Sequence, residues 1–344
     1  MKLFFHKLTH SEYWPFGVFY FPVFFQWAFF AIRARSIFYF NACNPSIKNG
    51  GFMAESKKEI YDILPRGKYP TTILAIENQP FEKIINDVYD SGIQFPMIAK
   101  PDIGLRGSAV KKINNIEDLK DYHARANFDF LVQQLIPFHR EIGIFYVRFP
   151  NESIGRITGI VSKEFVSVKG NGKSTVRELV LQNPRYAMQL SQIEREQPTK
   201  MDIVLPLDEQ LELIPYGNHA RGAKFLDASH LISDKLNKVI DEICREIPDF
   251  YFGRLDIMFD SFSDLEQGKN FMLVEVNGAS SEPTHIYDPK HSIFFAWKEL
   301  LRHNNYMFKI SLANKKRGAN FLSHRDGMAQ YRIHLEQSRK IINF

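Results

Sequence analysis

Residues 252–277 read FGRLDIMFDSFSDLEQGKNFMLVEVN, two largely apolar runs around a polar turn. Their residue types and spacing predict two strands, over 252–260 and 270–277. Successive side chains of a strand point to opposite faces, so Arg254 shares a face with Asp256, and Glu275 with Asn277. Leu255, Ile257, Val274 and Val276 take the other faces. Each strand therefore buries one side and directs acid and amide oxygens from the other. Two carboxylates and an amide oxygen converging in this way suit Mg²⁺, a hard cation that takes oxygen ligands and is commonly shared with substrate phosphates. Mn²⁺ would accept the same set. Asp256, Glu275 and Asn277 are thus the candidate metal ligands. The competing reading is an ordinary half-exposed hairpin with polar outer positions.

Two further stretches lie upstream. In MIAKPDIGLRGSAV (97–110), Lys100 stands at the end of a buried strand before a Gly-bearing loop. Lys100 supplies a point charge, and backbone N–H groups around Gly104, Gly107 and Ser108 can approach phosphates closely because glycine has no Cβ. Neither a Walker A sequence nor a GxGxxG motif occurs. In LVQQLIPFHREIGI (131–144), a strand breaks at Pro137. The break frees backbone groups near Gln134, Leu135 and Ile136 for an adenine edge, with Gln133 or Gln134 reaching its exocyclic amine. Glu141 follows where a carboxylate could accept the ribose hydroxyls. Taken alone, this stretch reads better as an edge strand with a proline stop.

The order of the three, with Lys strand and Gly loop first, then hinge and Glu, then R-x-D and E-x-N strands, resembles the ATP-grasp superfamily. The resemblance covers roughly residues 55–300 and is strongest to the D-alanine–D-alanine ligase and cyanophycin synthetase branches. VSVKGNGKSTVREL (166–179), GNHARGAKFLDASHLIS (217–233) and the GRLDIMF…FMLVEVNGASSEPTH segment carry it. It implies an α/β (α+β) fold of two lobes clasping ATP. It also implies one or two Mg²⁺ ions on Asp256, Glu275 and Asn277, Lys100 and Lys163 on phosphates, Gln134 and Ile136 at adenine, and Glu141 at ribose. Arg254 would stabilise an acyl phosphate and the tetrahedral intermediate after it, Arg221 would close on the γ-phosphate, and Arg148 is a weaker candidate. The implied activity is carboxylate–amine ligation releasing ADP and phosphate. A kinase acting on a small or lipid-like acceptor is the alternative, and a non-catalytic binding protein a third reading. Homodimers are frequent in the branches it resembles. The first nucleotide lysine falls at Lys57 or Lys58. Asn44, Gly50 and Gly51, in a loop expected near the cleft, are candidate substrate residues.

The 344-residue chain has a net charge of +5, too mild and dispersed to argue for nucleic acid. Its two cysteines, Cys43 and Cys244, have no metal-site spacing and fit a reducing, cytoplasmic compartment. The organisation expected is an aromatic arm (1–40), a short pre-grasp region (41–75), lobe 1 (76–136), lobe 2 (137–310) with a mobile loop (183–222), and a basic tail (311–344). Residues 36–43 are expected as a short buried strand. WPFGVFYFPVFFQWAFFAI (14–32) carries no charge and is flanked by basic residues. No small-residue cleavage site follows it, so it does not read as a removed signal peptide. Three readings stay open for it: contact with the cytoplasmic membrane surface, packing on the protein's own core, or a true span. Membrane contact would make an amphiphilic substrate reasonable.

Overall fold

The structure, a computed structural model, describes residues 11–105, 107–214, 217 and 222–344. It is a mixed α/β fold built on two antiparallel sheets. The first holds β1 (Thr72–Ala75), β2 (Met97–Pro101), β3 (Lys111–Ile113) and β4 (Phe130–Gln134) in the order β1-β4-β2-β3. The second begins with β5 (Arg140–Val147) and β6 (Arg156–Glu164). Next in the chain comes a separate ribbon of β7 (Val166–Lys169) and β8 (Gln210–Ile214). After the ribbon, β9 (Lys224–Asp227), β10 (Phe252–Phe259) and β11 (Phe271–Asn277) complete the second sheet in the order β11-β10-β5-β6-β9.

The first sheet has one greasy and one polar face; the second is apolar on one face and, on the other, polar at one end and apolar at the end where Phe145, Val147 and Phe252 pack with Phe308. In the first, Ala75, Met97, Ala99, Phe130 and Val132 pack against Ile84, Ile85 and Val88 of the helix Phe81–Ser91 and against Leu119 and Tyr122 of the helix Ile116–Arg125. Period two then sends Lys100 and Gln133 to the opposite face, where Gln133 stands across from Thr72 and Ile98. In the second, Ile142, Ile144, Ile160, Leu255 and Ile257 pack on Leu236, Ile240 and Ile243 of the helix Asp234–Glu246, which Ser233 caps. The other face carries Arg254, Asp256, Glu275, Glu141 and Lys163. A short helix, Lys57–Ile63, wedges between the sheets: Ile60 and Tyr61 share a buried cluster with Leu131 of β4 and Leu255 of β10.

Several expectations change. Residues 36–43 are not a strand; Tyr39–Cys43 is a 3₁₀ turn with Tyr39, Phe40, Ala42 and Cys43 buried. A short run whose residues Phe38, Tyr39 and Phe40 are buried in succession carries no period to tell strand from helix. Residues 183–214 hold the short helices Pro184–Ala187 and Leu190–Glu196 and strand β8, which pack with Val166, Val176 and Val180 on a small core of their own. The basic tail, 311–344, is largely helical. The helix Ile293–Lys316 runs into it, and His324–Ile342 forms a further helix that starts beside Phe38 and ends with Ile341 in the core of the first sheet.

Among the described residues no helix is long and apolar enough to cross a membrane. The arm instead forms a turn, Phe16–Phe19, and a 14-residue helix, Phe21–Ala34. Phe30 stacks on Phe308 of the Ile293–Lys316 helix with ring centroids 4.0 Å apart, while Phe25 on the other side is 64% exposed. Removing a well-packed buried ring costs about 3–5 kcal/mol, whereas an exposed one changes stability by about 0.5 kcal/mol or less. Phe30→Ala should lower the chemical-denaturation midpoint markedly, and Phe25→Ala should leave it in place.

Candidate active site

The site is assembled by strand register. Asp256 lies opposite Glu275 on β11 and Gly143 on β5, and Arg254 opposite Asn277. Glu141 lies opposite Met258 on β10 and Lys163 on β6. Residues opposite one another in an antiparallel pair share a face, so these side chains converge. Gly143 is needed at its place: a Cβ there would sit 3.0 Å from Asp256 Oδ1 and 2.9 Å from Val161.

Cations hold the carboxylates. Arg254 grips Asp256 with two parallel bonds, from Nε (2.9 Å) and Nη2 (3.0 Å). Lys163 bridges Glu141 and Asp256, at 2.5 and 3.2 Å. Lys57 reaches Glu275 at 2.7 Å. The first-sheet loop closes over this last pair, since a Cβ on Gly104 would lie 2.2 Å from Lys57 Nζ. Lys57 is positioned by its own backbone: Ser56 caps the helix, the Lys57 N–H donates to the Asp102 carbonyl, and the Lys58 N–H to the Asp102 carboxylate. Lys100 Nζ donates to Tyr61 Oη and Gln133 Oε1, both at 2.9 Å, and Tyr61 donates to the Val274 carbonyl. Lys57 and Lys100 thus tie the first lobe to β11 of the second.

Burial sets the electrostatics, and charge pairing then divides the groups. Burial pushes the Lys100 ammonium down to about 7, against the pull of Glu275 and with repulsion from Lys57. Burial also works against the Glu275 carboxylate, but Lys57, Lys100 and Arg254 outweigh it and hold Glu275 at about 2. Lys163 and Lys57 lie above their ordinary value: burial opposes the charge, and Asp256 with Glu141, or Glu275, prevails. Glu141 is raised, by burial and by neighbouring Asp256, despite Lys163. Glu55 is raised by burial and by Glu275.

Among the residues singled out in the sequence, the fold brings together Lys100, Gly104, Glu141, Lys163, Arg254, Asp256, Glu275 and Asn277. The buried Asn277 Nδ2 has no partner among the described residues. Two positions are spent inside the first lobe. Gln133 donates to Thr72 Oγ1 and accepts from Lys100, and Gln134, on the helix-covered face, accepts from the Gln94 N–H. Leu135 and Ile136 lead out of β4, and Gly107 turns with φ +76° ahead of Ser108, whose N–H donates to the Leu105 carbonyl. Arg221 lies outside the described residues. Arg148 donates to the Phe250 carbonyl, remote from the carboxylates.

Asn44, Gly50 and Gly51 form a clip behind the site. Asn44 is fully buried, accepts from the N–H groups of Tyr251 and Phe252, and donates to the carbonyls of Phe252 and Gly50. The Gly50 and Gly51 carbonyls accept from Ala279 and Ser280, and a Cβ on Gly51 would lie 2.6 Å from Gly278 Cα. The clip fixes the backbone immediately after Asn277. Glu55, Tyr61 and Glu282 join the site without having been singled out; Glu282 faces Arg254 electrostatically and accepts a 2.6 Å bond from Tyr287.

No family model matches the chain, and no curated protein matches it. Solved structures similar to it include the bifunctional glutathione synthetase of Pasteurella multocida, at 15% identity and a TM-score of 0.40, covering 76% of this chain and 38% of that one. The VanG D-Ala:D-Ser ligase of Enterococcus faecalis overlaps at 13% identity and TM-score 0.42, covering 74% and 61%. The D-alanine–D-alanine ligase of Bacillus anthracis overlaps at 13% and 0.41, covering 76% and 69%. The chain spans less than two thirds of the length of the first two. The likeness is partial at these scores, and what the site can do follows from its own residues.

Two measurements check this geometry. A lysine whose pKa falls on folding binds fewer protons native than unfolded, so stability rises with pH from about 7 to the ordinary 10.5. Lys100→Met should flatten the stability–pH curve in that window. Asn44→Ala strands two buried N–H groups, at about 1–3 kcal/mol each; a thermal melt should show the loss whether or not any ligand is added.

Proposed function

We propose that the cleft binds Mg·ATP and activates a substrate carboxylate for attack by an amine, as an ATP-grasp carboxylate–amine ligase. The observation that carries this reading is the interlocked array of Lys57, Lys100, Lys163 and Arg254 with Glu141, Asp256 and Glu275 between two lobes. Among the described residues no group of three or more acid, His or Cys side chains is placed to hold a metal ion by itself, so an ion here would need phosphate oxygens to complete its shell. Asp256 and Glu275, opposite each other in register, with the amide of Asn277 beside them, fit such an ion. The Asn277 Nδ2 has no partner among the described residues, so no bond to that nitrogen holds the amide, and its Oδ1 is the atom that would meet a cation.

In this reading Mg²⁺ supplies charge neutralisation at the phosphate oxygens. The chain's own residues do the rest. Lys57 and Lys163 are anchored on carboxylates that the cation would share, so each is placed to turn toward phosphate. Lys100, held near neutrality, gains its proton when an anion arrives. The substrate carboxylate oxygen attacks the γ-phosphorus and the β,γ-bridging bond breaks to release ADP. The amine then attacks the acyl carbon, the C–O bond to phosphate breaks, and the amine loses a proton. Arg254, fixed in advance by Asp256, offsets the negative charge on the acyl oxygen. The Gly104 loop over Lys57 keeps water from that end of the cleft.

Purified protein incubated with Mg·ATP and a metabolite and lipid extract should yield ADP, free phosphate and a new amide mass. Glu275→Ala should reduce that turnover by at least about a hundredfold. At a hundred times its dissociation constant, Mg·ATP should also stabilise the wild type by about 2.7 kcal/mol in a melt, and Glu275→Ala far less. Phosphate retained on an acceptor would replace the ligase with a kinase; AMP, or no Glu275-dependent turnover, would refute the mechanism.

A further inference from the structure

The helix Phe21–Ala34 is apolar on both sides: Phe30, Ala31 and Ala34 pack inward, and a second apolar stripe faces out. Its one uncharged polar side chain, Gln26, points inward, donating to the Leu301 carbonyl and accepting from Asn304. Phe21, Phe24, Phe25, Ala28, Phe29 and Ile32 are all exposed, Ile32 by 77%. Their spacing is i, i+3, i+4, i+7, i+8, i+11, one continuous helical stripe. Phe16 and Val18 extend it at one end, and Phe294, 72% exposed and edge-on to Trp297, flanks it; Trp297 is itself bonded to the Phe19 carbonyl. An apolar stripe on the water side, with the polar residue turned to the core, is the pattern of a face made for a non-aqueous neighbour.

Charge and length choose that neighbour. Residues 14–54 contain no acid, and Arg33, Arg35 and Lys48 are their only charges. Arg33 and Arg35 are exposed at the end of the stripe, and Lys298 one turn on from Phe294. A parallel two-fold contact between copies would bring these cations onto one another, and an antiparallel one would set them against the partner's apolar rings, with no acid from this segment to offset them in either case. A bilayer with anionic headgroups offsets them directly. The helix spans about 21 Å, short of the ~30 Å hydrocarbon core, so it lies along the surface.

We propose that this face docks the protein on an anionic lipid surface. The arm's inner side meets the candidate site: Tyr20 bonds Tyr287 at 2.9 Å, Tyr287 bonds Glu282, and Glu282 faces Arg254. The inference stands on the arm alone and holds whatever reaction the cleft performs.

The test is co-sedimentation of the full chain with phosphatidylcholine vesicles, with and without phosphatidylglycerol, alongside light scattering of the protein alone. Wild type should bind, and more tightly to the anionic vesicles. The double variant Phe25→Glu/Phe29→Glu should bind roughly a hundredfold more weakly with an unchanged melting curve, since both rings are exposed. Arg33→Gln and Arg35→Gln should each remove about fivefold of the anionic preference. Protein that stays in the supernatant with both vesicles overturns the proposal. So does binding that survives the double glutamate change, or a dimer in solution that this change splits without any vesicle binding.

Discussion

The Lys57–Glu275 ion pair is the contact on which the site depends, because its partners come from different lobes. Glu275 stands on β11, and Lys57 opens the helix that wedges between the sheets. Both side chains are half-buried, so leaving either charge without its partner would cost stability. The pair therefore holds the Gly104 loop, the Lys57 helix and β11 in one arrangement. Arg254, Asp256, Lys163 and Glu141 continue the alternation of charge across the second sheet. Every carboxylate in this row has a cation within reach, so the cleft stays near neutral until a more highly charged ligand redistributes the contacts.

Strand periodicity made the second sheet legible. Two residues on each of two strands sufficed to place Arg254, Asp256, Glu275 and Asn277 on one face, and the observed register sets them opposite one another. What periodicity could not give was the partner of each charge, which depends on β5 and β6 lying beside β10. Glu141 was readable as a carboxylate near the nucleotide but not as the lysine-bound neighbour of Asp256. Lys57 could have been separated from Lys58 by helical spacing: Lys57 shares a face with the buried Ile60 and Tyr61, while Lys58 pairs outward with Asp62. Gln133 and Gln134 differ in the same way, one toward the cleft and the next toward the helices.

The helical parts were read less well, and the reasons are physical. In the run Ser36–Cys43, Phe38, Tyr39 and Phe40 are buried in succession, so its apolar composition names no period. The last 34 residues look polar because they cover a surface rather than fill a core, and their helix is held by scattered anchors rather than an apolar face. The aromatic arm misleads in the opposite sense: its composition suggests a core or span, but only one side of it is packed.

The His324–Ile342 helix does more than cap the chain. It meets Phe38 at its start and Asn49 and Ala54 along its length, then reaches the first lobe, where Lys340 pairs with Glu77 and Phe344 packs on Tyr122. The lobes are already joined by the chain at Pro137 and by the wedge at Lys57. With this rod added, they form a closed mechanical linkage. Spreading them would have to bend the helix or detach its far end, so resistance to opening is set at Lys340 and Phe344, some distance from the candidate site.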